Sequence, residues 1–114
     1  MREINLTNQD IDCIISSAIE CGGIAYWCSS YEVVGKKLGR FACEQISLGG
    51  SIKLQEEETE DWYTLDKETL LKGVRLWMDD EFSEDIDSDD LFDFDAEISD
   101  IIIQYAIFGE IIYG

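Results

Sequence analysis

After Arg75 this sequence contains no basic residue. From Leu76 to Gly114 it carries thirteen Asp and Glu residues, which supply −13 of a formal net charge of −18. One-signed charge at that density opposes compaction by self-repulsion. Any fold must therefore be held by a core strong enough to overcome it. The material for one is present: 46% of residues are hydrophobic and 11% aromatic, a composition that disordered acidic tails lack. At 114 residues the chain is the size of one ordinary domain, 1–114.

The charge is uneven. Residues 1–40 hold five acidic residues (Glu3, Asp10, Asp12, Glu20, Glu32) against four basic ones (Arg2, Lys36, Lys37, Arg40). The rest of the acidic excess centres on Glu56 to Asp61. An ordinary solvated surface mixes both signs, and an evenly halophilic chain would acidify its first third as well. Direct nucleic-acid binding needs Lys and Arg at phosphates, and anionic membrane surfaces repel the same charge. The sign leaves basic proteins or cations as partners. The absence of histidine removes the commonest general base and the commonest metal ligand at neutral pH.

Cys13, Cys21, Cys28 and Cys43 form no CxxC pair, and zinc sites usually contain such pairs or histidine. The N-terminus has no signal-peptide pattern, and no apolar run approaches the roughly 20 residues of a membrane span. The expectation is a cytoplasmic protein whose cysteines are reduced and packed as small apolar side chains.

Hydrophobic spacing orders the elements. Thr7 with Asp10 reads as the boxed start of a helix over 8–21, with Ile11, Ile14, Ile15, Ala18 and Ile19 at helical spacing and Gly22-Gly23 as its stop. Ile24 to Val34 is rich in aromatic and β-branched residues and predicts a strand. FACEQISLGG favours a short helix ending at Gly49-Gly50. Ser51–Gln55 and Trp62–Leu65 read as a hairpin around the turn 56–61. Asp66 caps a helix whose apolar stripe is Leu70, Leu71, Val74, Trp77 and Met78. Gly73 within it costs about 1 kcal/mol against Ala, so that helix must depend on packing. Asp95 caps a last helix, apolar on nearly every side from Ile98 to Phe108 and ended by Gly109, with a short strand after it. The class is α+β: a single domain with a small, mostly antiparallel sheet packed on two to three helices. Tyr26, Trp27, Trp62, Tyr63 and Trp77 are expected in its core.

The segment 79–95 threads Phe82, Ile86, Leu91, Phe92 and Phe94 through its acids, anchors that would pin an acidic surface to the domain. Alternate residues of an extended segment point the same way about 6.6 Å apart, the spacing of Asp85, Asp87 and Asp89. Duplex DNA carries one charge per roughly 1.7 Å of axis. The candidate partner-binding surface is therefore Asp79, Asp80, Glu81, Glu84, Asp85, Asp87, Asp89, Asp90, Asp93 and Asp95, joined by Glu56, Glu57, Glu58, Glu60 and Asp61.

Three stretches, GGIAYW (22–27), Gly49-Gly50 before a strand, and QYAIFGEIIYG (104–114), resemble a group of small acidic proteins encoded by phages and prophages of Gram-positive bacteria. That setting implies an inhibitor of host defence, similar in style to anti-CRISPR and anti-restriction proteins that mimic DNA. The implied partner is a basic nucleic-acid-binding protein, a CRISPR effector or restriction enzyme, in the cytoplasm of the bacterial host. No catalytic residue, metal or cofactor comes with the resemblance. Two other readings fit: a non-catalytic phage structural, assembly or oligomerisation module whose acidity serves solubility, and a carboxylate-cluster calcium binder. Asp85-x-Asp87-x-Asp89 opens like an EF-hand loop, but Asp90 stands where Gly is needed and Ala96 where Glu is needed. No GxSxG, phosphate-binding glycine loop or Cys–His pair supports catalysis, so the chain is not expected to be an enzyme. Lys36, Lys37 and Arg40 could meet the acidic tract of a second copy in a homodimer.

Overall fold

The computed structural model describes residues 7–39, 42–81 and 96–113. Helix α1 spans Asn8–Ile19. The Thr7 hydroxyl accepts the Asp10 N–H at 3.1 Å, and the Asp10 carboxylate accepts the Thr7 N–H at 3.1 Å. This reciprocal box satisfies two donors that a helix start leaves open. Ile11, Ile14, Ile15 and Ala18 are buried along one face, as their spacing predicts. The helix closes two residues before the expected end at 21. Glu20 and Cys21 N–H groups both donate to the Ser16 carbonyl, and Gly22 then takes a left-handed φ of 77°.

The strand expected from Ile24 begins later, as β1, Cys28–Val34. Residues 24–27 turn instead: the Ala25 N–H donates to the Gly22 carbonyl and the Trp27 N–H to the Ile24 carbonyl. That turn swings the Trp27 ring into the core, where it is 1% exposed. Helix α2 (Ala42–Ser47) leads into β2 (Ser51–Glu56) and β3 (Trp62–Asp66). The three strands form one antiparallel sheet in the order β1-β2-β3. The Asp66 carboxylate accepts the Thr69 N–H at 2.8 Å and caps α3, Lys67–Glu81. Helix α4 spans Ala96–Phe108, and Gly109, at φ 76°, ends it.

Helices α2, α3 and α4 pack on the sheet, and α1 packs on α2 and α4. The class is the α+β arrangement expected. Ile52, Leu54 and Leu65 of the sheet, Leu70 of α3 and Ile102 of α4 are fully buried together with the apolar face of α1. Gly73 lies where α3 crosses α4. A Cβ there would stand 2.5 Å from the Ile102 carbonyl oxygen and 2.8 Å from the Ala106 Cβ. The propensity lost at Gly73 is the condition for that close crossing.

Four expectations need correction. Residues 110–113 form no strand and follow an irregular path. Trp27 and Trp77 are core residues, but Tyr26 is 52% exposed and Trp62 41%. Cys13 and Cys21 form no disulfide and are exposed, so they are not packed as expected, whereas Cys28, also unbridged, is half-buried and packs against the core. Glu56, expected on the partner-binding surface, is buried, because strand alternation turns it to the inner face of β2. Among the described residues no helix is long and apolar enough to cross a membrane.

Candidate acidic interface

The β2–β3 connection presents its carboxylates in two directions. A strand alternates its side chains between faces, so Glu56 shares the inner face of β2 with Ile52 and Leu54 and is only 4% exposed. Three hydroxyls donate to its carboxylate: Thr59 at 2.9 Å, Tyr63 at 3.1 Å and Tyr113. The Tyr113 bond, aided by those of Thr59 and Tyr63, holds the Glu56 carboxyl below the usual range against the opposing effect of burial. The same anion raises the Tyr113 hydroxyl, and burial, aided by that anion, raises the Tyr63 hydroxyl.

Beyond Glu56 the chain folds back tightly. The Glu56 N–H donates to the Asp61 carbonyl and the Glu60 N–H to the Glu56 carbonyl, both at 2.8 Å. Glu60 takes a φ of 64°, a left-handed conformation sparsely populated by residues with a Cβ. The Gln55 amide holds the Glu60 carbonyl at 3.2 Å, and the Asp61 N–H donates to the Thr59 hydroxyl. The Glu57 N–H donates to the Trp27 carbonyl at 2.8 Å, which ties the turn to the chain entering β1. On this frame Glu57, Glu58, Glu60 and Asp61 are all exposed.

A second carboxylate completes the frame from below. Asp100 of α4 is 8% exposed and accepts three hydrogen bonds: from the Trp27 indole at 2.6 Å, the Tyr26 hydroxyl at 2.5 Å and the Gln104 amide at 3.0 Å. Desolvation and the bond to Asp100 push the Tyr26 hydroxyl up to about 12. Gln104 is fully buried, and its carbonyl oxygen accepts the N–H groups of Ile112 and Tyr113 at 3.0 and 2.9 Å. Its amide nitrogen donates back to the Tyr113 carbonyl at 3.0 Å. The side chain thus does for residues 112–113 what a neighbouring strand would do. The tail so held lays the Tyr113 ring parallel to Trp27, with centroids 5.8 Å apart, and brings its hydroxyl to Glu56.

Of the expected site residues, the turn brings Glu57, Glu58, Glu60 and Asp61 together in solvent, and Glu56 belongs to the internal network. Asp79 is exposed near the end of α3, and Asp80 and Glu81 lie in its last turn. Glu84, Asp85, Asp87, Asp89, Asp90, Asp93 and Asp95 lie outside the described residues, as do Arg40 and the EF-hand-like stretch. Lys36 and Lys37 are exposed. Among the described residues no group of three or more Cys, Asp or Glu side chains is arranged to hold a metal ion. A shallow hollow of about 180 Å³ between the end of α1 and the start of β1 is lined by Ile19, Ile24, Cys28 and Tyr31 among others. Burial raises the Cys28 thiol and keeps it protonated.

Sequence reasoning missed Asp100, Gln104 and Tyr113. A signal existed: Asp100 and Gln104 stand four apart, hence on one face, in a helix otherwise almost wholly apolar. Buried polar groups need partners, so such a pair marks a network. No family model matches this chain, and no curated protein or solved structure is detectably similar to it.

Proposed function

We propose that the chain is a non-catalytic, stoichiometric inhibitor of a basic nucleic-acid-binding protein in a bacterial cell. A CRISPR effector or restriction enzyme is the expected target. The acidic surface would occupy the Lys- and Arg-lined groove that otherwise holds DNA. One observation carries the reading: Glu57, Glu58, Glu60 and Asp61 are exposed on a turn whose backbone is held by hydrogen bonds at both ends. Like charges crowded on a flexible loop would separate. Held on a frame, they keep a fixed spacing that a groove built for phosphates can recognise at long range. The absence of any basic residue after Arg75 leaves the rest of that surface uncompensated.

The test is capture with the purified chain from lysates of bacteria carrying CRISPR and restriction systems, with duplex DNA as competitor. A captured nuclease should be released by DNA and by salt, and its DNA binding should fall in proportion to added chain. Capture that DNA does not compete with, or failure to inhibit the captured protein, overturns the proposal.

A further inference from the structure

The acidic turn has a counterpart at the opposite end of the sheet, and the two are joined by a strand that, among the described strands, pairs on one side alone. Strand β1 is at one edge of the sheet and, among the described elements, packs mainly against β2. Tyr31 is 46% exposed and Val34 36%, and Leu38, four residues beyond the strand, is also exposed. Edge strands are usually protected by charged side chains, above all lysine, by proline or by bulges; CSSYEVV has no lysine or proline, and Glu32 is its one charge. A register shift between Cys28 and Ser30 is its one irregularity, and it leaves 30–34 regular.

The ends of β1 carry opposite charge. Lys36 and Lys37 follow its C-terminal end and are exposed. At its N-terminal end Cys28 pairs with Glu56, and the Trp27 carbonyl accepts the Glu57 N–H, which sets Glu57, Glu58, Glu60 and Asp61 beside it. An antiparallel ladder between two β1 strands lays the head of each against the tail of the other. Only that pairing brings both lysines of each copy to the acidic turn of its partner; a parallel ladder sets lysine beside lysine.

We propose that β1 is a homodimerisation edge, paired antiparallel about a two-fold axis with β1 of a second copy. Two chains of −18 repel at long range, so the occupant of this edge must approach where repulsion is least. β1 lies in the near-neutral first third of the chain, at the opposite edge of the sheet from β3 and α3. An axis through Glu32 would set two carboxylates directly opposite, which is destabilising. An axis through Tyr31 avoids that clash and pairs two aromatic rings. The proposal is independent of the inhibitor reading, because no outside partner enters it.

Sedimentation velocity of the full chain across the micromolar range tests it. Wild type should shift from monomer to dimer, and the β1 amides should gain hydrogen-exchange protection as it does. Lys36→Glu with Lys37→Glu should weaken the dimer by at least about tenfold. Lys72→Glu with Arg75→Glu changes the net charge equally on α3 and should have a much smaller effect. Mixing the Lys36→Glu/Lys37→Glu chain with a Glu57→Lys/Glu58→Lys chain should restore a heterodimer. Tyr31→Lys eases the long-range repulsion yet should abolish pairing. Circular dichroism checks that each variant is folded, and the lysine pair decides the matter should Tyr31→Lys unfold. A wild type that stays monomeric, a dimer untouched by the β1-end lysines, or equal weakening by the α3 control overturns the proposal.

Discussion

Glu56 and Glu57 are neighbours in the chain and opposite in circumstance. Glu56 points inward and is anionic among three hydroxyl donors; Glu57 points outward beside three more acids. Asp100 repeats the inward case, with an indole, a phenol and an amide around it. Neither inward carboxylate draws on a lysine or arginine in these bonds. The comparison separates two uses of the same chemistry. An inward anion orders its donors, because hydrogen bonds to a charged acceptor are about twice as strong as neutral ones. The outward anions act mainly through their field; of the four, Glu58 also accepts the Tyr113 hydroxyl, at 3.2 Å. In this chain the first kind fixes the frame on which the second kind is displayed.

The largest effect should come from breaking the frame where its parts meet. Gln104→Leu keeps the approximate volume and removes every bond that side chain makes. It leaves the Ile112 and Tyr113 N–H groups without their acceptor and Asp100 short of a donor. Unsatisfied buried groups cost roughly 1–3 kcal/mol each, so a loss of about 3 kcal/mol is expected in urea unfolding. The Trp27 fluorescence should shift as Tyr113 leaves its ring. A loss under about 1 kcal/mol would mean that the tail is held without Gln104.

Glu56→Gln keeps the shape of the inward group and removes its charge. Exchanging charge-assisted bonds for neutral ones predicts a smaller loss, about 1–2 kcal/mol at neutral pH. Its pH dependence has a definite sign. The folded carboxyl titrates below its unfolded value of about 4.3. The unfolded state therefore binds the proton first, and the stabilisation is complete above about pH 4.3 and is lost as pH falls through the folded value. Urea midpoints measured in acid should fall more steeply for wild type than for Glu56→Gln. Parallel curves would show that the anion has no such role.

Much of this frame was legible, and the illegible parts have a common cause. Thr7 with Asp10, Gly22, Asp66 and Gly109 marked helix ends through backbone chemistry that is local. The strand parity of Ile52, Leu54 and Glu56 also points the last of these inward, although its place in an acidic run suggests the turn. Tyr26 and Trp27 favour strand by local preference, yet Trp27 turns inward to reach Asp100, 73 residues on. Ile111 and Ile112 look like a strand, and the Gln104 side chain takes the place of a ladder. Each failure arises where a side chain from a distant segment supplies what secondary structure would otherwise supply.

The alkaline side gives the next smaller effect. The Tyr26 hydroxyl, raised to about 12, keeps its proton in the folded state after an unfolded tyrosine would lose it near pH 10. Stability from this bond is complete below about pH 10 and is lost as pH rises through about 12. Ultraviolet absorbance of phenolate should show at least one tyrosine titrating late in wild type, and Tyr26→Phe should remove part of that late phase. Tyr113→Phe should remove a further part, because Glu56 raises that hydroxyl as well. An unchanged late phase in both variants would place the retained protons elsewhere.

The smallest effect on stability should come from the outward acids, and it sharpens the comparison most. Changing Glu57, Glu58 and Glu60 to Gln and Asp61 to Asn removes four charges and keeps every donor to Glu56, although the Tyr113 hydroxyl loses its second, charged acceptor at Glu58. Surface changes of this kind usually stay within about 0.5 kcal/mol. Here relief of mutual repulsion favours a slight gain, read as a small rise in the thermal midpoint at low salt that fades as salt screens the charges. Equal loss of stability from the outward set and from Glu56→Gln would erase the distinction between the two populations. A folded, slightly stabilised quadruple variant that no longer competes with duplex DNA for a basic protein would assign the outward acids to binding alone. A variant that is equally stable and competes as well as wild type would leave that task to the acids that follow Arg75.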